Sequence, residues 1–130
     1  MTRPLVLVVD DDPDILEAIC DILEAEGYEV ARARHGEEAL ARVEDRRPAV
    51  ILLDLMMPVM DGVAFAQALR LRPAFRDVPI VVISADGNPQ RAAAVGASGY
   101  LAKPFDIEAL LAQVAGIARA SPQSPPAASP

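Results

Sequence analysis

Short runs of apolar residues recur along the chain, and they predict buried strands. Three of these runs, at residues 5–9, 50–53 and 78–83, are rich in leucine and β-branched residues. A continuous apolar run, rather than an alternating one, is typical of a parallel strand that is covered on both faces. Weaker strand candidates lie at residues 28–33 and 98–102. The pattern therefore predicts five strands.

Between these runs, apolar residues recur at helical spacing. A spacing of three or four positions places them on one face of a helix. The residues are Ile15, Ile19, Ile22 and Leu23; Ala39, Leu40 and Val43; Val63, Ala66 and Leu69; and Ile107, Leu110, Leu111 and Val114. Gly27 and Pro48 stand where helix stop signals belong. Asp14 and Asp106 are candidate N-caps.

The alternation of strands and helices predicts an α/β fold. A strand followed by a helix, repeated five times, indicates a parallel sheet with helices on both faces, and right-handed crossovers restrict its topology. The 130 residues suit one domain, which we expect to cover residues 1–119. We expect residues 120–130 to form a disordered tail, because this Pro/Ala/Ser-rich segment has no charge and no large apolar side chain.

Charge and composition argue against some partners. The formal net charge is −7, and a negative surface repels phosphate backbones, so we expect no direct contact with nucleic acid. The longest apolar run is far shorter than the roughly 20 residues that cross a bilayer, so we expect no membrane contact. A single cysteine, Cys20, precludes an internal disulfide. We expect a cytoplasmic location.

Polar residues follow four of the five predicted strands. They are Asp10, Asp11 and Asp12 after the first strand, Asp54 after the third, Ser84 after the fourth and Lys103 after the fifth. Ligands of open parallel sheets bind outside the carboxyl ends of the strands, so these side chains are expected to meet at one edge. Charged groups beside apolar strands are costly unless they are paired or bind a metal. The pattern therefore indicates a functional site.

This set of side chains suits phosphoryl transfer. Crowded carboxylates repel one another, and a hard divalent cation, Mg²⁺ or Mn²⁺, relieves the repulsion. Phosphoryl transfer depends mainly on positioning and on charge stabilisation, which the Lys103 ammonium and the Ser84 hydroxyl would supply. Asp54 is the candidate nucleophile, since carboxylates form acyl phosphates in known covalent mechanisms.

The segments around these residues form ordered motifs. They read VVDD at 8–11, LDLMMPVMDG at 53–62, SA at 84–85 and GASGYLAKPF at 96–105. Together they resemble response-regulator receiver domains of two-component signalling, particularly the single-domain chemotaxis regulators, over roughly residues 4–119. The resemblance implies a flavodoxin-like (βα)5 fold with a doubly wound, five-stranded parallel sheet of strand order 2-1-3-4-5. The stretch 84–96 is shorter than in typical members, which predicts a short fourth helix over residues 89–95.

The resemblance also implies roles for individual residues. Asp54 would be phosphorylated, and Lys103 and Ser84 would contact the phosphoryl group. The metal ligands would be Asp10, Asp11, Asp54 and the backbone carbonyl of Met56. The backbone at Met56 and Ala85 would bind phosphoryl oxygens. Ser84 and Tyr100 would be the switch residues.

The family resemblance further implies protein partners. A sensor histidine kinase or a histidine phosphotransfer protein would supply the phosphoryl group in a phosphorelay, and a downstream protein target would receive the signal. Candidate docking residues are Ile15, Pro104 and Phe105. We expect a monomer or a weak dimer.

Two other hypotheses start from the same residues. The Asp-x-Asp of residues 10–12, followed by Ser84 and Lys103, would suit a haloacid-dehalogenase-like phosphatase with Asp10 as nucleophile and Asp12 as acid/base. The second of these hypotheses is an interaction module of the same fold that works without phosphorylation. In the receiver hypothesis the protein is not an enzyme, and its chemistry is limited to self-phosphorylation and self-dephosphorylation. That hypothesis gives Asp54 a role, which the phosphatase hypothesis does not.

Overall fold

In the computed structural model, which describes residues 3–54, 62–84, 89–94, 96–103 and 105–120, strands and helices alternate along the chain. The strands are β1 (Leu5–Val9), β2 (Glu29–Ala33), β3 (Val50–Asp54), β4 (Ile80–Ser84) and β5 (Gly99–Ala102). The helices are α1 (Pro13–Ala25), α2 (Gly36–Asp45), α3 (Gly62–Arg70), α4 (Pro89–Ala94) and α5 (Ile107–Ala120), with a 3-10 helix at Pro73–Phe75. The five predicted strands are thus confirmed.

The five strands form one parallel sheet in the order β2-β1-β3-β4-β5. This confirms the doubly wound, flavodoxin-like fold. The pairing aligns the carboxyl ends: Val9 lies opposite Leu53, and Asp54 opposite Ile83. Residues that follow these strands therefore meet at one edge of the sheet.

Helices cover both faces of the sheet, which explains the continuous apolar runs. Successive side chains of a strand point to opposite faces. In β1, Leu7 and Val9 belong to the α2–α4 cluster, a buried core formed with α2, α3 and α4. Val6 and Val8 belong to the α1–α5 cluster, formed with α1 and α5. Every residue of β1 is therefore buried.

Two helices end at glycines with left-handed backbone conformation. At the end of α1, Gly27 has φ 95 and donates to Glu24 O, while Tyr28 N donates to Leu23 O. This is the Schellman arrangement, which favours glycine because a side chain is strained at positive φ. The predicted stop signal at Gly27 is confirmed.

Gly96 ends α4 in the same way. It has φ 68 and donates to Ala93 O, while Ala97 N donates to Ala92 O. These bonds satisfy the last carbonyls of a helix of only six residues. The predicted short fourth helix is confirmed, and its brevity is set by a defined cap.

The predicted start of α1 was wrong in one detail. Asp12, rather than Asp14, is the N-cap: its side chain accepts from the backbone N–H groups of Asp14 (2.9 Å) and Ile15 (3.3 Å). Pro13 occupies the first helical turn, where its missing N–H costs nothing, so the residue before it takes the extended conformation of a cap.

The predicted start of β4 was also wrong. The strand begins at Ile80 rather than at residue 78. Val78 is buried, but its N–H donates to Phe75 O in the preceding turn. Pro79 has no N–H to give to a neighbouring strand. Val78 extends the apolar run of β4 in the sequence because it is buried, although it does not pair with a neighbouring strand.

The last helix, α5, includes Ala120. Residues 121–130, within the predicted tail, lie outside the described residues. None of the helices described here is long and apolar enough to cross a lipid bilayer.

Arg70, at the end of α3, connects three segments. Its Nη1 donates to the carbonyl oxygens of Arg76 (2.8 Å) and Val78 (2.9 Å), and its Nη2 to that of Gly96 (3.3 Å). Burial lowers the pKa of the guanidinium, and the charge of Asp77 partly offsets this effect. Arg70 therefore holds both the turn before β4 and the C-terminal end of α4 against α3.

We expect Arg70→Met to destabilise the fold. The substitution keeps an apolar stem but leaves the carbonyls without their donor, which should lower the free energy of unfolding by about 2 kcal/mol. Arg46→Met is the control, since Arg46 pairs with Glu29 at an exposed position, and such pairs contribute less than about 1 kcal/mol. Urea unfolding of both variants measures the difference. Equal losses would contradict the role of Arg70.

Candidate functional site

Three carboxylates lie close together at the carboxyl ends of β1 and β3. Asp10 and Asp54 are buried, with 2% and 4% of their surface exposed, whereas Asp11 is exposed. One carboxylate oxygen from each of the three residues lies within 4.8 Å of the others. The structure thus brings together three of the predicted metal ligands.

Backbone hydrogen bonds position Asp10 within this group. Its N–H donates to the Ala33 carbonyl of β2 (3.1 Å), which extends the pairing of β1 by one residue. Its Oδ1 accepts from the Asp12 N–H (2.9 Å). One carboxylate oxygen is therefore used to shape the turn into α1, and Oδ2 points toward the other charged groups.

Lys103 joins the ends of four strands. Its Nζ donates to Asp10 Oδ2 (3.2 Å) and to Asp54 Oδ2 (3.4 Å), and its backbone N–H donates to the Ser84 carbonyl (2.9 Å). Burial lowers the pKa of the ammonium, but the charges of Asp10 and Asp54 outweigh this effect and raise the pKa overall. Lys103 is therefore positively charged at neutral pH.

The charges at this edge do not balance. Among the described residues, three carboxylates lie together and the Lys103 ammonium contacts two of them, so negative charge is in excess. Carboxylate oxygens are hard ligands that suit Mg²⁺ or Mn²⁺, and exposed Asp11 leaves one side open for the waters that Mg²⁺ retains. The residues present therefore fit a divalent cation.

The two predicted switch residues lie on neighbouring strands. Ser84 is fully buried at the end of β4, opposite Ala102 of β5. Tyr100 is partly buried against the α2–α4 cluster. Its hydroxyl oxygen is buried and has no hydrogen-bond partner among the described residues.

Three predicted residues fall outside the described part of the chain. They are Met56, Ala85 and Pro104. Their assigned contacts with the metal, the phosphoryl group and a docking partner stay predictions.

An apolar groove lies beside the charged site. It has a volume of about 520 Å³ and is lined by Ile15, Ala18, Ile19, Ile22, Lys103, Phe105 and Ile107. Ile15 and Phe105, predicted from the sequence as docking residues, thus share one groove, and Lys103 connects it to the carboxylates.

Two residues of this groove, Ile22 and Ile107, were expected from the sequence to belong to the core. Ile22 was assigned to the core stripe of α1, although it lies seven positions after Ile15 and so continues the same helical face. Ile107 was assigned to the core stripe of α5, but 54% of it is exposed. The sequence did carry a signal for the exposure of Ile107: it is the first residue of its helix, ahead of the turns that pack on the sheet.

Comparisons with known proteins place the chain in a large group of signalling proteins. The family model of the response regulator receiver domain matches residues 6–115. Transcriptional regulatory protein PrrA of Mycobacterium tuberculosis is 43% identical over 122 residues, which are 92% of this chain and 52% of that protein. The structure of the chemotaxis response regulator CheY4 of Vibrio cholerae has a TM-score of 0.83 and 39% identity, and the match covers 89% of this chain and 99% of that chain.

The curated relatives are longer than the matched region. The chain spans about half the length of the curated relatives it matches. One of them, RpaA of Synechocystis, is named a DNA-binding dual master transcriptional regulator and is 38% identical over 53% of its length. The expectation of no direct nucleic-acid contact therefore stays a prediction.

We expect the three carboxylates to bind Mg²⁺ or Mn²⁺. Asp10→Asn and Asp11→Asn should each weaken the binding of the ion by at least about tenfold, because even the loss of a residue that only supports a metal ligand has an effect of this size. Titration calorimetry with either ion measures the affinity. Asp12→Asn is a matched control, because it removes one nearby charge while asparagine still caps α1. Wild-type affinity in Asp11→Asn would contradict this ligand set.

Proposed function

Because the chain belongs to the family of response regulator receiver domains, we propose that it accepts a phosphoryl group on Asp54 and changes its protein contacts in response. The observation that carries the proposal is the Lys103 ammonium, which contacts both Asp54 and Asp10 at the ends of the central strands. The donor would be the phosphohistidine of a sensor kinase or of a phosphotransfer protein in a phosphorelay.

Asp54 would act as the nucleophile. Its carboxylate oxygen forms a bond to phosphorus while the phosphorus–nitrogen bond of the donor breaks, and the imidazole keeps the electron pair and takes up a proton from solvent. Lys103 stands 3.4 Å from Asp54 Oδ2, from where its ammonium would pair with a phosphoryl oxygen. Fixed positive charge at that point lowers the cost of bringing two anions together.

A divalent cation would be held by Asp10, Asp11, Asp54 and the backbone carbonyl of Met56. When bound, it supplies positive charge that offsets the repulsion between the carboxylates and the incoming phosphoryl oxygens. Asp10 is already oriented by its bonds to Ala33 and Asp12, so this ligand needs little rearrangement. The backbone at Met56 and Ala85 would bind the remaining phosphoryl oxygens.

Ser84 and Tyr100 would convert phosphorylation into a change of conformation. The Ser84 hydroxyl would move toward the phosphoryl group, and Tyr100 would turn toward the space that Ser84 vacates. The Tyr100 hydroxyl, which is buried without a hydrogen-bond partner among the described residues, supports this proposal. The phosphoryl group shifts the equilibrium only by the bonds that it makes in one state and not in the other.

We also propose that the receiver unit, expected at residues 1–119, reaches the end of α5 at Ala120, that residues 121–130 lie outside it, and that the protein works in the cytoplasm as a monomer or weak dimer. Its phosphoacceptor chemistry would be limited to self-phosphorylation and self-dephosphorylation. The output would be binding to a downstream protein.

The position of Asp12 disfavours the phosphatase alternative. In that hypothesis Asp12 is the acid/base group, but its carboxylate accepts from Asp14 N and Ile15 N as the cap of α1. Asp54, by contrast, is bound by Lys103 inside the charged site. In the alternative that works without phosphorylation, this arrangement of charged residues has no function.

The apolar groove would receive the phosphodonor protein. Ile15, Ile22, Phe105 and Ile107 form its apolar wall, and the Lys103 side chain forms part of its lining. A partner helix with an apolar face could bind there while placing its phosphohistidine next to Asp54.

Incubation with acetyl phosphate or phosphoramidate and Mg²⁺ should add the mass of one phosphoryl group. Intact-protein mass spectrometry detects the adduct, and peptide mapping locates it. Asp54→Ala should show no adduct, and removal of divalent ions by a chelator should prevent its formation. Asp77→Ala, which removes an exposed carboxylate elsewhere, should gain mass like the wild type.

Two outcomes would contradict this function. An undiminished mass gain in Asp54→Ala would exclude Asp54 as acceptor. Multiple turnover of a chromogenic phosphate ester, lost in Asp10→Asn, would support the phosphatase instead.

Ile15→Asp should slow phosphotransfer from the cognate phosphohistidine protein by about tenfold or more, because a charge would be buried in the docked groove. Phosphorylation by acetyl phosphate, which needs no docking, should stay unchanged. Leu71→Asp is the control, since Leu71 is apolar and 83% exposed at a place outside the groove. Unaltered transfer to Ile15→Asp would contradict docking at this groove.

A further inference from the structure

Gln113 is a polar residue within the apolar stripe of α5. It follows Leu110 by three positions and precedes Ile117 by four, and both of these residues pack in the α1–α5 cluster. Helical periodicity therefore turns it toward the sheet, and its side chain is partly buried. Its Nε2 donates to the carbonyl oxygen of Tyr100 at 3.2 Å. The polar side chain thus binds the backbone of β5.

The Gln113 amide uses space that Gly99 leaves open. A Cβ atom at Gly99 would collide with Gln113 Oε1. Gly99 does not have the left-handed backbone conformation found at Gly27 and Gly96. The space beside Gly99 is therefore occupied by the Gln113 amide, and a side chain at this position would require that amide to shift.

Tyr100 consequently contacts both faces of the sheet. Its ring packs against the α2–α4 cluster, where its hydroxyl is buried without a partner among the described residues. Its carbonyl is bound by Gln113, which belongs to α5 on the opposite face. A displacement of the Tyr100 backbone must therefore stretch or break the bond to α5.

We propose that Gln113 is a positioning residue that tethers α5 to β5 at Tyr100, so that α5 responds when Tyr100 moves. The signalling part of this inference rests on the proposed phosphorylation of Asp54. The tether itself, formed by Gln113 over Gly99, exists without phosphate. A downstream protein would then recognise a surface that includes α5.

A double-mutant cycle tests the tether in the unmodified protein. Gly99→Ala alone should raise the unfolding equilibrium constant by at least about threefold, because the methyl group displaces the Gln113 amide. In Gln113→Ala the same methyl enters vacated space, and its effect should fall below about twofold. Gly116→Ala is the control: nothing lies within 4 Å of its added Cβ, so its effect should be equal in both backgrounds. Additive effects of the Gly99 and Gln113 substitutions would overturn the tether.

Hydrogen exchange tests the signalling role. Wild type and Gln113→Met, which keeps the volume but lacks the donor, are treated with acetyl phosphate and Mg²⁺. Both should form the adduct to the same extent. Phosphorylation should change amide exchange in α5 of the wild type, and this change should fall at least twofold in Gln113→Met while the change in β5 persists.

The possible failures are distinguishable. An equal response of α5 in both proteins would overturn the signalling role of Gln113. Absence of an adduct on the wild type would overturn the phosphoacceptor function and, with it, this signalling role. The cycle at Gly99 and Gln113 needs no phosphate and would still decide whether the tether exists.

Discussion

The arrangement of the site depends on the Lys103 ammonium between two buried carboxylates. Asp10 and Asp54 end apolar strands, where an uncompensated charge is costly. Lys103 contacts both, and its backbone is bonded to the end of β4. The compensation is incomplete because Asp11 adds a third carboxylate. The fold thus tolerates an excess of negative charge at one edge, which favours cation binding there and makes this edge the part of the molecule best suited to chemistry.

This concentration of charge follows from strand pairing. A parallel sheet brings all carboxyl ends to one edge, and the register places Val9 opposite Leu53 and Asp54 opposite Ile83. A slip of one residue would turn the buried side chains of a strand to the other face. Apolar packing on both faces therefore fixes the register, and the register in turn determines how close the carboxylates come. The distances in the site are a consequence of the core.

The short α4 was predicted from the resemblance to receiver domains. The sequence pattern itself was sufficient for the strand count and the meeting of Asp10, Asp11, Asp54 and Lys103, since apolar periodicity and the rule for strand ends determine them. It was insufficient where a local hydrogen bond decides. Asp12 caps α1 because Pro13 starts the helix, and Val78 is buried in a turn rather than in β4. Periodicity identifies the buried face but not the neighbour that covers it, so the Gln113 bond could not be foreseen.

The helices on the two sides of β5 are connected by different bonds. The C-terminal end of α4 is closed by the Gly96 cap and bonded to Arg70, whose three carbonyl acceptors lie in two segments. Moving that end would break one of these bonds, from Arg70 Nη2 to the Gly96 carbonyl, while the other two hold the turn before β4. α5 is bonded to β5 through the Gln113 amide, which donates to the carbonyl of Tyr100. The Gln113 bond thus joins α5 directly to the proposed switch residue, whereas the Arg70 bonds join the end of α4 to α3 and to the turn before β4, which supports α5 as the proposed route of the signal.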